Sequence, residues 1–236
     1  MKLSRLVLLI AVVAAFLLLI AGPGTRMEWW DFRVGFKLMT WATFIGIGAS
    51  VMALIGLLVP RVRRGGAGLL AVSLVIGLLV AYVPWQGMRT ARSVPPIHDI
   101  STDTDQPPVF VEILPLRADA SNPSEYAGAE VAAQQRTAYA DLQPLRLDVG
   151  TDAAFDRALA AAESMGWEIV AADKASGRIE ATDTTLWFGF KDDVVVRVSG
   201  DADASVIDVR SVSRVGQGDQ GKNAQRIRAY LEKIQA

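Results

Sequence analysis

Cysteine is absent from the 236 residues, and histidine occurs once, at His98. The first absence removes disulfides, thiolate metal sites and cysteine nucleophiles. It leaves the compartment open, because a protein facing an oxidising space can simply avoid the residue. The second removes multi-histidine zinc sites and leaves few histidine-based triads. A Walker pattern, a glycine elbow around a serine and the strand–glycine–helix order of a dinucleotide fingerprint are missing too. Charge is scarce at one end only. Residues 1–87 hold eight Lys and Arg against two acids, whereas residues 88–236 hold sixteen against 23 acids. The chain is therefore two pieces, a basic apolar one and an acidic one. The acidic balance of the second speaks against nucleic acid as a partner.

The stretches 6–25, 38–60 and 65–88 carry no formal charge. Each reaches the roughly 20 residues that cross a hydrocarbon core, and none offers the polar face a water-exposed helix needs. They predict three transmembrane helices, at about 6–24, 38–60 and 67–86, within a membrane region spanning 1–87. The first reads as a retained anchor. The alternative, a cleaved signal peptide, is weakened by the poor cleavage pattern at Leu19–Gly24 with Pro23 inside it. Lys2 and Arg5 precede the first span, and Arg61, Arg63 and Arg64 fill the turn between the second and third. The positive-inside rule places both in the cytoplasm, and residues 26–37 and everything after 88 outside. Trp29, Trp30, Trp41 and Trp85 suit headgroup depth. Ala42, Gly46, Ala49, Ala53 and Gly56 mark one helical face of the second span, and Ser73, Gly77 and Ala81 one of the third. Close packing of these two helices within the chain is the simplest account. No ionisable residue lies deep in a span, so the region reads as an anchor rather than a transport pathway.

Residues 88–108, with Pro95, Pro96, Pro107 and Pro108, read as an extended arm. Residues 109–236 read as an extracytoplasmic α+β domain. PVFVEILPLR suggests a short strand or a docked extended stretch, and 125–138 a short helix. From Gln143 the periodicities give a strand over PLRLDV, then a helix capped by Thr151 and ended by Gly166. The strands WEIVAAD, GRIEATDTT, DVVVRVSG and ASVIDVRSVSRV follow, and a helix runs from about Asp219 to Ile234. Short turns between consecutive strands imply an antiparallel sheet with the helices on one face. The opposite face, with Arg178, Glu180, Thr182, Asp208 and Arg210, reads as solvated or ligand-facing.

Three groups of residues are candidates for binding a ligand or partner. The first is His98 and Asp99 with Asp103 and Asp105, which suit turn capping, a hard cation or a ligand; the spacing does not match an EF-hand. The second is WFGFKDD, where Trp187, Phe188 and Phe190 crowd a turn followed by Lys191, Asp192 and Asp193. Exposed, they suit an amphipathic ligand; turned inward, they close the core. The third is Arg210, Ser213, Arg214, Asp219, Asn223 and Arg226, around glycines that precede a helix. Here an anion nest stands against simple capping by Asp219 with an arginine pair. Arg210, Arg214, Asp219 and Asn223 are expected in one cluster, with His98 or Asp99 near it.

HDISTDTDQPPVF, NPSEY, MGWEIV, GRIEAT, FGFKDDVVVRV and DVRSVSRVGQGDQGKNAQRIR together resemble the DUF1499 family, a bacterial domain family of unknown function. The resemblance covers about residues 93–236. It implies that this stretch is one domain and that the polar positions of all three groups, His98 to Asp103, Lys191 to Asp193 and Arg210 to Arg226, follow the family's pattern. It supplies no activity. The reading is a non-enzymatic envelope protein, held in the lipid bilayer, whose outer domain binds a partner protein or an amphipathic ligand and calls for no cofactor. The alternatives are a hydrolase-like enzyme using His98 and nearby carboxylates, and a structural assembly factor.

Overall fold

A computed structural model describes residues 3–235; Lys2, used above for orientation, lies outside the described residues. The chain divides into two compact units, Met1–Thr90 with Leu186–Gly189, and Ala91–Thr185 with Phe190–Ala236.

The first unit holds α1 (Leu3–Arg26), α2 (Phe32–Leu58), the single turn α3 (Pro60–Arg63) and α4 (Ala67–Arg92). Helices α1, α2 and α4 are long and apolar enough to cross a membrane. Each extends beyond its charge-free core. Thus α2 begins at Phe32, where the Asp31 side chain accepts from the Arg33 amide at 2.9 Å, so the expected 26–37 loop shrinks to a tight connection. The small-residue stripes work as expected: Ala42, Gly46, Ala49, Ala53 and Gly56 are all buried. A Cβ on Gly77 would stand 2.4 Å from the Gly46 carbonyl oxygen, so the backbones of α2 and α4 meet there. Three further glycines act as seats for aromatic rings. A Cβ at Gly24 would strike Trp30 at 2.0 Å, one at Gly22 Trp187 at 2.4 Å, and one at Gly35 Phe188 at 2.9 Å. Trp187 also packs on the cluster of Ala14, Leu18, Ala42 and Val80.

The second unit is an antiparallel sheet with helices packed on it. In order come β1 (Asp99–Ser101), a 3₁₀ turn (Leu114–Arg117), α5 (Ala129–Ala138), β2 (Leu145–Leu147), α6 (Thr151–Ser164), β3 (Glu168–Asp173), β4 (Arg178–Thr184), β5 (Lys191–Gly200), β6 (Ser205–Ser213) and α7 (Lys222–Gln235). The sheet order is β1-β6-β5-β4-β3, with β2 sharing the outer edge of β6. The main core lies between the sheet and α6 and α7. There Ile179, Val194, Val196, Ile207 and Val209 meet Phe155, Ala158, Ile227 and Tyr230, and Tyr230 donates to the Ala158 carbonyl at 2.8 Å.

Four details differ from the sequence reading. Helix α4 continues to Arg92, so the arm starts later than residue 88. Gly150, not Thr151, caps α6, with no side-chain hydrogen bond. Helix α7 begins at Lys222, after a turn in which Gln220 and Gly221 have positive φ. The fourth is the opposite face of the sheet. It is neither solvated nor open, for Glu180, Thr182, Asp208 and Arg210 are all buried. The chain's own residues 102–124 lie against it, fastened by the bonds described next.

Candidate functional site

The pleat decides where each candidate goes. Successive side chains on a strand point to opposite faces, so neighbours in sequence part company. Asp192 and Asp193 are both buried, yet they serve different faces of β5.

On the helix side, Asp192 accepts from Arg226 Nη2 at 2.6 Å, and Asp183 accepts from Arg226 Nε at 2.7 Å. Arg226 Nη1 reaches the Asn223 side-chain oxygen, which also accepts from Ser211 Oγ. Asn223 Nδ2 donates to Ser213 Oγ at 3.0 Å and to the His98 carbonyl at 2.9 Å. Burial disfavours the Arg226 charge, but Asp192 and Asp183 outweigh it and hold the guanidinium more firmly protonated than usual. Asp219 accepts from the amides of Gly221 at 2.8 Å and Asn223 at 2.7 Å. Burial raises its carboxyl above the ordinary value against the pull of those amides. It caps the helix.

On the other face, Asp193 accepts from Arg214 Nε and Nη2 at 2.9 and 2.8 Å, from Arg117 Nη1, and from Thr182 Oγ1 at 2.8 Å. Arg210 makes a two-pronged pair with Asp99, at 2.9 and 2.8 Å, and donates to the carbonyls of Pro108 and Ser124. Its guanidinium lies between the rings of Phe110 and Tyr126, 5.2 and 5.4 Å from their centroids. Burial, together with Asp99, pushes the Tyr126 phenol up to about 12. Glu180 takes three successive amides, those of Val111, Glu112 and Ile113, at 2.9, 3.2 and 2.9 Å, and Arg178 stands beside it. Arg197 bridges Asp208 and Asp103 and holds the Gln106 carbonyl.

The expected cluster is thus divided by the sheet. Arg210 and Arg214 face the arm, whereas Asn223 and Arg226 serve the helix side and Asp219 caps the helix. Arg214 pairs with Asp193 instead of Asp219. The expected approach of Asp99 is present, as the partner of Arg210. His98 is engaged through both backbone and ring: its carbonyl accepts from the Ser213 amide, and its Nδ1 lies 3.2 Å from the Gln217 carbonyl oxygen. Trp187 belongs to the helical unit, and Lys191 is exposed at the start of β5. Among the described residues, no group of three or more His, Cys, Asp or Glu could hold a metal ion.

Sequence reasoning missed Arg117, Gln135 and Arg197. Gln135 is 1% exposed, and its amide pairs with both backbone groups of Ser101, continuing the ladder beyond β1. The available signal was the recurrence of opposite charges on the non-helix face of β4, β5 and β6, namely Arg178 and Glu180, Asp193 and Arg197, and Asp208 and Arg210.

One cleft opens beside the Asp99–Asp105 segment, with a volume of about 400 Å³. Asp103, Thr104 and Arg136 give its lining polar groups, and Tyr139, Leu142 and Pro144 give apolar ones. Arg136 donates to Thr104 Oγ1 at 2.9 Å and pairs with Asp105.

A membrane-spanning helical unit joined to an antiparallel α+β domain stapled by internal ion pairs is the class these features define. A family profile described as a protein of unknown function, DUF1499, matches residues 99–234. That is more than half of the chain, and the protein belongs to this family. No curated protein matches the chain.

Proposed function

We propose that this is a protein of the cytoplasmic membrane whose outer domain binds a partner protein or an amphipathic ligand without turning it over. The carrying observation is the contrast between the candidate groups. Arg210, Arg214 and Arg226 are saturated by Asp99, Asp193, Asp192 and Asp183, while the Asp103 segment borders a cleft lined by both polar and apolar residues. Such a cleft suits a molecule with a polar head and an apolar body. A photo-crosslinking residue at Ala140, on the cleft, should trap a discrete adduct in cell membranes, and one at Asp203 should not. A functional protein that yields no adduct at Ala140 refutes the reading.

The saturation of those arginines also favours a second reading, a structural assembly factor that takes no small ligand. Under it, the Ala140 adduct would be a protein only. The orientation rests on Arg5 and on Arg61, Arg63 and Arg64. A reporter active only outside the cytoplasm should work when fused after Ala236 and fail when fused at Arg63; the reverse pattern inverts the topology.

A further inference from the structure

The segment after β1 has two sides of opposite character. Phe110 and Ile113 turn inward onto Val195 and Val212, and Arg117 pairs with Asp193. The other side carries Val109, Val111, Leu114 and Leu116, which are 69%, 44%, 42% and 53% exposed. Single exposed apolar side chains are ordinary on a protein surface. Four within eight residues form a patch, and patches mark contact sites. This patch cannot fold back on itself. Glu180 grips the amides of residues 111–113, and Arg214 Nη1 donates to the Leu116 carbonyl at 2.7 Å.

We propose that this ridge is a second membrane contact, lying in the boundary between headgroups and acyl chains of the leaflet on the domain's side. One observation selects lipid over a protein partner. Only residues 93–108 separate the end of α4 at Arg92 from Val109. A patch on so short a tether meets the bilayer at high effective concentration, whereas a partner must diffuse to it. Glu112 sits within the ridge and disfavours anionic headgroups, so apolar burial is the main attraction.

The absence of native cysteine makes the test direct. Leu114→Cys, Leu116→Cys and Asp203→Cys variants of the full chain are labelled with a polarity-sensitive fluorophore and placed in phosphatidylethanolamine–phosphatidylglycerol nanodiscs with or without brominated acyl chains. Leu114 and Leu116 are exposed, so the substitutions leave the core intact, and circular dichroism checks this. Labels at 114 and 116 should emit to the blue, lose roughly half their intensity to bromolipid and resist iodide, while the label at 203 behaves oppositely. A label at 116 quenched by iodide and indifferent to bromolipid overturns the proposal. One shielded from iodide yet untouched by bromolipid also overturns it, because a second copy of the chain would then cover the ridge.

Discussion

At the scale of single residues, the outer domain depends on charges that have left water. Arg210 and Asp99 are 2% and 3% exposed in their side chains and satisfy each other through two bonds. Removing one partner of such a pair strands the other, at a cost of about 3–5 kcal/mol. Arg210→Met should lower the unfolding free energy of the outer domain, read from denaturant curves, by that amount, and adding Asp99→Leu should recover much of it. If the double variant is no more stable than the single, the stranded charge is not the source of the loss. Asp103 responds to pH. Burial pushes its carboxyl up, but the amides of Gln106 and Asp105 and the Arg197 guanidinium outweigh this and hold it below its ordinary 3.8. A lowered folded-state value stabilises the fold above the unfolded value and is lost as pH falls through the folded one. Asp103→Asn should therefore remove part of the acid-induced loss of stability below 3.8 and leave the slope near neutrality unchanged, as read from unfolding curves at several pH values.

Elements differ in how far the sequence revealed them. The four long strands and α6 and α7 were legible because their apolar residues repeat at two or at three to four positions. For PVFVEILPLR the sequence left a short strand and a docked extended stretch both open, because the order of this segment comes from acceptors far away in sequence. Glu180 lies 67 to 69 residues from the amides it binds. The rule that alternating charges face water failed at β4 for the same reason: the water had been replaced by backbone from residues 108–124. Sequence proximity failed at Arg214 and Asp219, since Arg214 faces the arm while Asp219 caps the helix. Glu180 offers the clearest check at this scale. Glu180→Gln keeps one acceptor oxygen where three amides and an arginine need two, and an unsatisfied buried group costs about 1–3 kcal/mol. Hydrogen exchange should accelerate at Val111 and Ile113 and stay unchanged in α6 and α7. Equal acceleration throughout would mean that the arm and the core open together.

For the whole molecule, the grouping of Leu186–Gly189 with the helices has a practical outcome. A fragment of residues 93–236 retains the main core and every ion pair of the arm, so it should unfold cooperatively. It also retains Trp187 and Phe188 without the Gly22 and Gly35 seats. Sedimentation should show it self-associating, and Trp187→Ser with Phe188→Ser should restore a monomer. A fragment that is monomeric with both rings intact would show that they find cover within the domain.

The seat at Gly22 also has a consequence for descent. Positions 22 and 187 lie far apart in the gene, yet the ring at one occupies the volume that any side chain at the other would need. A larger residue at 22 is tolerable only after a smaller one appears at 187, so an intermediate sequence carrying both bulky residues is unfit. Homologues should therefore exchange these two positions together or not at all, and a recombinant that draws them from different parents should fail to assemble its helices even though each parent is sound.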